Sequence, residues 1–408
     1  MDAPDGLRQL LLDLVSTEPE VRSRVAGLDR GAWDALLASA AEHRVKPLLH
    51  WRLAHERSDL DVPAEVRARL ADAYLQATLR ALRIERELVR VVRILREAGI
   101  PCVALKGAYL AYHVHPEPAL RPLKDLDLLV PADDARRAHD VRLGAGFGRT
   151  PAFSGDAATW ASTLHHLPAL RPPGGVAVEL HHRLDMPGGR RVGDWERGGV
   201  WSRLVEARVA GETVSYLSPA DALLHLIVHA LYQHRLGNGP LTLADIAALT
   251  RTGSVDWTLF WRLAAEGGCT RACELLFALT GYYFGPLPVE TAPTADTLPR
   301  DGAALLPMCA GLIMRGEKAA TDERLAGSLA GKGAGGKATL LLGKALPTRA
   351  HLAIAYDVDP ASARAFLYYV PFWVRLARKR VPELVSRRHA ATSTARELAV
   401  LDDWLARG

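Results

Sequence analysis

Two aspartates separated by one leucine are the residues of this 408-residue chain best suited to metal chemistry. Asp125 and Asp127 lead into the apolar run 128–130, which is typical of a buried strand. Because residues i and i+2 of a strand point to the same face, we expect both carboxylates to project together. Two ionised carboxylates at that spacing repel each other, and a divalent cation relieves the repulsion. The pair is therefore predicted to bind Mg²⁺ (or Mn²⁺) together with substrate phosphates.

A third acid is expected to join them from another strand. Glu179 lies in the apolar segment 176–180, directly after the Pro-Pro-Gly-Gly turn 172–175. Three acids on neighbouring strands can hold two metal ions and stabilise both the attacking and the leaving oxygen of a transferred phosphoryl group. Asp125, Asp127 and Glu179 are thus predicted as catalytic and metal-binding residues of a phosphoryl or nucleotidyl transfer site, where Glu179 also helps to deprotonate the acceptor.

Three basic or flexible residues near the aspartates are candidates for phosphate contact. Lys106 ends an apolar run from Ile100, and either contacts a triphosphate or is a solvated turn lysine. Gly107 is predicted to allow a tight turn and close approach of the backbone to phosphate. Arg121 is expected either to bind phosphate or to pair with an aspartate of the acidic site, since a guanidinium suits both partners.

The order of these motifs resembles the polymerase-β superfamily of nucleotidyltransferases and, more closely, an uncharacterised nucleotidyltransferase family. The motifs that carry the resemblance are Leu105-Lys106-Gly107, Arg121, the strand Asp125 to Val130, Glu179-Leu180-His181, and, in the helical region that follows, Ser218 to Asp221, Leu224-His225, His229 and Asp245. It covers about residues 35 to 290. This chain has Lys106-Gly107 where many superfamily members have Gly-Ser or Gly-Gly.

The resemblance implies transfer of NMP from an NTP such as ATP to an unknown acceptor, which is a small molecule, a peptide or RNA. It also implies that Lys106, Gly107 and Arg121 contact the nucleotide. Two alternatives remain open: a non-catalytic module that binds a nucleotide or a partner, and an RNA-modifying nucleotidyltransferase. The presence of all three acids favours an enzyme, whereas the Lys-Gly turn keeps the binding module open.

Several histidines and one glycine-rich run are assigned other roles. In His165-His166 and His181-His182 at most one residue of each pair can face the site, because strand neighbours alternate. Mg²⁺ prefers oxygen ligands, so these histidines are predicted to be structural or substrate-contacting. His225 and His229 share a helix face and are expected to pack against the catalytic domain. The run 331–338 resembles a phosphate-binding loop but ends in alanine, and is predicted to be a linker.

The elements that must position these residues define an α+β fold: a small mixed-sheet core flanked by helical regions. Apolar spacing predicts a long helix over 66–98 that ends at Gly99, and a capped helix that begins at Ser218. We predict strands at 103–105, 126–130, 167–170, 176–180 and 214–217, and a helix at 133–143. The expected domains are residues 1–99 (N-terminal helical), 100–217 (nucleotidyltransferase α/β core) and 218–408 (C-terminal helical).

Composition narrows the class of protein. Hydrophobic residues make up 49% of the chain, as in a folded protein, and the net charge of +5 suits a phosphate-rich substrate. Four scattered cysteines, the lack of a signal-peptide pattern and the lack of a transmembrane segment predict a cytoplasmic protein with reduced thiols. A basic C-terminal tail, residues 375–388, follows the aromatic stretch 366–373. It is predicted to be either a docked helix with a solvated basic face or a contact to an anionic partner.

Overall fold

A computed structural model describes most of the chain. The described residues are 3–149, 164–184, 192–290, 300–315, 349, 352, 362–374 and 390–406. The glycine-rich run 331–338 and the basic tail 375–388 lie outside them. Within the described residues, strands form one mixed seven-stranded sheet and helices form two groups around it, which confirms the α+β class. None of the described helices is long and apolar enough to cross a membrane.

The sheet contains two parallel and four antiparallel strand pairs. Their bounds are β1 Val103–Ala104, β2 Asp125–Leu129, β3 Gly148–Arg149, β4 Leu170–Arg171, β5 Ala177–His181, β6 Val205–Val209 and β7 Glu212–Tyr216. The order across the sheet is β3-β4-β5-β2-β1-β7-β6. Strand β2 pairs in parallel with β5 and antiparallel with β1, and β1 in turn pairs in parallel with β7. The two acid-bearing strands are therefore direct neighbours in the middle of the sheet.

Helices lie before the first strand, between strands and after the last strand. Their bounds are α1 Ala3–Val15, α2 Arg22–Ala26, α3 Arg30–Glu42, α4 Lys46–Trp51, α5 Ala64–Glu97, α6 Gly107–Tyr109, α7 Ala135–Gly144, α8 Gly193–Glu196, α9 Pro219–Val228, α10 Leu241–Arg251, α11 Trp257–Glu266, α12 Thr270–Phe284, α13 Arg300–Ala303, α14 Leu306–Ile313 and α15 Ala390–Ala406. Wider π-helical turns extend α4, α6 and α9, namely Arg52–Glu56, Leu110–Val114 and His229–Gln233.

Two hydrophobic cores cover the two faces of the sheet. On one face Leu126, Leu128 and Val178 pack with the second half of α5 and with α7. On the other face Leu129 packs into a larger core that includes helices before and after the sheet, α1 to α4, α9 to α12, α14 and α15. Because strand residues alternate between faces, the acids of β2 and β5 lie on the side of this larger core. The three-domain division stays a prediction, but the helices at both ends of the chain share one core.

The long helix α5 connects the two cores. Val66 and Leu70 near its start belong to the larger core, and residues from Ile84 onward belong to the other one. The helix ends as predicted, since Gly99 has a φ of +67° and its N–H bonds to the carbonyl of Arg96. Arg80 donates from Nε to the carbonyl of Leu123 (2.9 Å) and thereby ties α5 to the loop that enters β2.

Most predicted elements are found, with two strands missed and one displaced. Strands β3 and β6 were not predicted, and the strand expected at 167–170 begins only at Leu170. The hairpin β6–β7 turns through Ala210 and Gly211, whose φ values of +46° and +82° match a tight primed turn. An alanine at such a position carries little turn signal, which explains why the hairpin escaped sequence analysis. The helix at Ser218 is confirmed, with the serine side chain accepting from the N–H of Asp221.

Candidate active site

The acids of β2 and β5 open onto a cavity of about 270 Å³ between the sheet and the larger helical group. Asp127 and Glu179 stand opposite each other in the parallel register, and Asp125 stands opposite the small Ala177. The cavity is lined by Arg44, Leu105, Lys106, Gly107, Ala108, Arg121, Leu123, Lys124, Asp125, Asp127, Glu179, Leu226, His229, His234, Asn238, Leu241 and Thr242. All six residues proposed from the sequence for the site therefore line one cavity.

Asp127 is the ionised centre of the site. Its Oδ2 lies 3.2 Å from the Lys106 ammonium, and its Oδ1 lies 2.9 Å from Nε2 of His181. Burial opposes ionisation of Asp127, but the Lys106 charge and the His181 hydrogen bond outweigh it and hold its pKa well below the usual value. The Asp127 side chain is only 12% exposed, so this charge interacts with its partners at short range and with little water between them.

The other two acids behave in the opposite way. Burial, and then the charges of Asp127 and Asp125, raise the pKa of Glu179 to about 7. Burial and the neighbouring Asp127 also raise the pKa of Asp125. Negative charge is therefore crowded at this point of the sheet beyond what Lys106 neutralises. A cation held among these oxygens would favour the ionised forms of Asp125 and Glu179 beside the ionised Asp127.

Lys106 is paired rather than solvated. Its side chain is 18% exposed and contacts Asp127 at the floor of the cavity. Its backbone has φ +49° and ψ −117°, which a residue with a Cβ rarely adopts. The turn between β1 and α6 therefore places a lysine in a conformation that glycine would adopt without strain.

Gly107 is not the strained residue of the turn, and its approach to phosphate stays a prediction. The left-handed conformation belongs to Lys106, and Gly107 begins α6 with ordinary helical geometry. A Cβ at residue 107 would lie 2.3 Å from Cδ2 of Leu123. A side chain at residue 107 would therefore need the buried Leu123 side chain to move, because the loop before β2 packs directly on this turn.

Arg121 pairs with an acid from outside the predicted trio. Its Nε lies 2.7 Å from Oδ2 of Asp245, whose other oxygen lies 2.8 Å from Nε2 of His115. Asp245 is fully buried in α10, 124 positions along the chain. The pair holds the guanidinium at the cavity wall, from where its remaining N–H groups can reach a phosphate. No short-range pattern in the sequence indicates this pairing.

His181, predicted to be structural or substrate-contacting, lies against the predicted acids. It follows Glu179 by two positions on β5, so it faces the same side of the sheet, and burial lowers its pKa. One ligand atom from each of Asp127, Glu179 and His181 lies within 4.8 Å of the other two. This grouping contains two of the three predicted acids but not Asp125. The alternation of strand faces indicates that His181 and Glu179 share a face. The preference of Mg²⁺ for oxygen argued against a histidine ligand in the sequence analysis.

The helical wall of the cavity comes from α9, α10 and the turn between them. His229 and His234 face each other with 3.1 Å between their Nε2 atoms, and burial holds the pKa of His229 well below its usual value. Asn238 and Thr242 line the same wall, and Arg44 approaches from the end of α3. Except for His229, these residues were not predicted, since they come from distant segments without a motif.

Comparison with known proteins places the chain in a family. It belongs to the uncharacterised nucleotidyltransferase family, whose model matches residues 29–285. This confirms the resemblance drawn from the Lys-Gly turn and the aspartate strand. The chain is also similar to the crystal structure of an antigenic nucleotidyltransferase-like protein from Paracoccidioides brasiliensis, with 15% identity, 53% of this chain and 96% of that chain covered, and a TM-score of 0.33. No curated protein matches the chain.

Proposed function

We propose that the protein transfers NMP from an NTP, such as ATP, to an unknown acceptor that is a small molecule, a peptide or RNA. The proposal is carried by one observation: Asp127 and Glu179 stand in register on adjacent parallel strands and face a cavity. Membership in a nucleotidyltransferase family supports nucleotidyl transfer as the reaction for which these acids are arranged. Lys106 and Arg121 on the same cavity supply positive charge for a triphosphate.

The residues present fit a divalent cation. The donors are carboxylate oxygens, and burial together with the neighbouring carboxylates raises the pKa of both Asp125 and Glu179, as expected where added positive charge would be stabilising. Asp125, Asp127 and Glu179 would hold Mg²⁺ or Mn²⁺. Such a cation, when bound, neutralises charge on the triphosphate and on the attacking and leaving oxygens.

The protein's own groups then position the reaction. An acceptor oxygen or nitrogen attacks the α-phosphorus, the bond from that phosphorus to the bridging oxygen breaks, and pyrophosphate leaves with the bonding electrons. Glu179, with its pKa near 7, can accept the proton of the acceptor as the new bond forms. Lys106 and Arg121 hold the phosphates in line, so catalysis relies on orientation and charge neutralisation.

A second candidate function is nucleotide binding without turnover. The observation that favours it is the 3.2 Å contact of the Lys106 ammonium with Asp127, which already neutralises one of the acids. A chain with such an internal cation can bind a nucleotide without a metal. The RNA-modifying alternative draws on the basic tail, which lies outside the described residues.

The test is incubation of the purified full chain with each α-³²P-labelled NTP and Mg²⁺ or Mn²⁺, in the presence of protein, RNA or small-molecule extract. Transfer predicts label on one of these fractions, loss of label in Asp127→Asn and in Asp125→Asn, and unchanged labelling in the control Asp133→Asn. Asp133 is exposed and follows the same strand, so it matches the charge change outside the cavity. NTP binding by calorimetry without label in any fraction would establish the binding module instead.

A further inference from the structure

The three ligand atoms grouped at Asp127, Glu179 and His181 include a nitrogen. Their mutual separation, within 4.8 Å, is close enough that a small movement of the side chains would let one ion contact all three. We infer that His181 is a metal ligand, so that Asp127, Glu179 and His181 form a mixed nitrogen and oxygen site that selects Mn²⁺ over Mg²⁺. The inference deepens the proposed function, since it concerns the metal of the same cavity.

The contact between His181 and Asp127 already has the spacing of two ligands. Nε2 of His181 and Oδ1 of Asp127 are 2.9 Å apart. Two neighbouring ligands bound at right angles, each about 2.1 Å from an ion, lie about 3.0 Å from each other. An ion can thus take the place of the hydrogen between these atoms with little movement of either side chain.

The two oxygens of Asp127 contact different partners, so a metal can bind between Oδ1 of Asp127 and Nε2 of His181 without displacing Lys106. Oδ2 faces the Lys106 ammonium, and Oδ1 faces His181. An ion between Oδ1 and Nε2 leaves the lysine contact in place. The lysine and a metal therefore do not compete for one oxygen, which resolves how an acid already paired with a cation can still bind metal.

The His181 ring is held in place before any ion binds. Its side chain is buried, and its ring centroid lies 5.3 Å from that of His165 and 5.6 Å from that of His166. Its backbone carbonyl accepts from the N–H of Val130, which fixes the end of β5 against β2. A ligand fixed by packing loses little conformational entropy when a metal binds.

A nitrogen ligand changes which cation the site prefers. Mg²⁺ is a hard cation that favours oxygen, whereas first-row transition metals accept an imidazole nitrogen more readily, and Mn²⁺ is the one of them that also suits carboxylate ligands. A site of two carboxylates and one imidazole is therefore expected to bind Mn²⁺ more tightly than Mg²⁺. Loss of a ligand is expected to weaken Mn²⁺ binding by more than about tenfold, since even outer-shell partners contribute that much.

The test reads the nitrogen directly and needs no turnover. The full chain is freed of metal, loaded with less than one equivalent of Mn²⁺ and studied by pulsed electron paramagnetic resonance, which detects ¹⁴N bound to the ion. The wild type should show imidazole ¹⁴N coupling. His181→Gln should lose it, and His182→Gln should keep it, since Nε2 of His182 instead donates to the carbonyl of Leu164 (2.9 Å).

The outcomes separate a ligand from a residue that only orients Asp127. Bound Mn²⁺ without ¹⁴N coupling in the wild type overturns the inference, and so does coupling that persists in His181→Gln. Absence of ¹⁴N coupling in the wild type overturns the inference whether or not the variant folds. If ¹⁴N coupling is seen but no NMP transfer occurs, His181 is a metal ligand and the proposed function is wrong. If NMP transfer occurs but the spectrum shows oxygen ligands alone, the proposed function holds and His181 is not a ligand. Equal affinity for Mg²⁺ and Mn²⁺ also overturns it.

Discussion

At the scale of single residues, Lys106 combines backbone strain with a buried charge. A non-glycine residue with φ +49° and ψ −117° costs on the order of 1–3 kcal/mol, and such strain persists where the surrounding structure enforces it. The ion pair of the Lys106 ammonium with Asp127, at 3.2 Å, is a favourable interaction that opposes this strain energy. The side chain at residue 106 and the backbone at residue 106 can therefore be tested separately.

Replacing Lys106 by alanine and by glycine makes that separation. Both variants should weaken NTP binding by about 1.5–3 kcal/mol for every base, since a phosphate contact carries no base information. Lys106→Gly should be more stable than Lys106→Ala by about 1 kcal/mol, because glycine relieves the strain. Calorimetry and urea unfolding check the two effects.

Ala210→Gly serves as the matched control, because Ala210 also has a positive φ but lies in the exposed β6–β7 turn. It should gain stability without any change in NTP affinity. If Lys106→Ala binds NTP as tightly as the wild type does, Lys106 does not contact the phosphates. The binding-module alternative would then be favoured only if nucleotide binding required no phosphate contact.

Glu179 gives the metal-free protein a pH dependence with a definite sign. Its pKa rises from an ordinary 4.5 to about 7 on folding, first because of burial and then because of Asp127 and Asp125. The folded state therefore binds more protons than the unfolded state between these values. The stability due to Glu179 is complete below pH 4.5 and is lost as the pH rises through 7.

Glu179→Gln should abolish this loss. In buffer with a chelator, the variant should be more stable than the wild type at pH 8 by on the order of 2–3 kcal/mol, and the difference should shrink as the pH falls towards 4.5. Urea unfolding between pH 4.5 and 8 measures it. Glu206→Gln, an exposed acid on β6, should follow the wild-type profile. A parallel profile for Glu179→Gln would show that the acid ionises normally.

At the scale of elements, the site depends on how the β1–α6 turn packs under the loop that enters β2. A Cβ at residue 107 would lie 2.3 Å from Leu123, which is itself buried. The same loop is held from the other side by Arg80 of α5. Lys106 and Asp127 therefore keep their relative position through backbone packing, and not only through their charges.

Gly107→Ala should cost about 1–3 kcal/mol and weaken NTP binding, because the added methyl must displace the turn or the loop. Leu123→Ala removes the clashing group at its own cost of about 2–5 kcal/mol. The double variant should be more stable than the sum of the two single changes predicts, by at least about 0.5 kcal/mol. Thermal and urea unfolding complete this double-mutant cycle.

Gly144→Ala provides the control, since a Cβ there meets nothing within 4 Å. It should be neutral or stabilising. Strict additivity in the Gly107 and Leu123 cycle would show that the turn accommodates a methyl group by another route.

At the scale of the whole molecule, helices from both ends of the chain form one core that closes the cavity over the sheet. Asp245 in α10 connects that core to the catalytic strands through Arg121 and His115. Removing one partner of a fully buried pair leaves an uncompensated charge. The helical group therefore positions Arg121, which is proposed to bind phosphate, from a distance.

Asp245→Asn should lower stability by about 3–5 kcal/mol and weaken NTP binding, because Arg121 loses the partner that orients it. Urea unfolding and calorimetry measure the two effects. Asp34→Asn breaks the exposed pair with Arg69 and should change stability little, with NTP affinity unchanged. Stability loss with unchanged NTP affinity in Asp245→Asn would mean that Arg121 acts only in the core.

The sequence by itself determined the features that depend on local periodicity. The spacing of Asp125 and Asp127 placed both on one strand face, and the apolar neighbours of Glu179 placed it on another strand. The bounds of α5 and the cap at Ser218 follow from side-chain patterns that act over a few residues. The family was also within reach, because its motifs lie in these same local segments.

Only the tertiary structure decided which distant residues meet. The contact of His181 with Asp127 depends on the parallel register of β2 and β5, and the pairing of Arg121 with Asp245 joins residues 124 positions apart. The cavity wall at His229 and His234 depends on how α9 and α10 pack against the sheet. Such contacts arise from burial of whole helix and strand faces, which is non-directional and leaves no short motif in the chain.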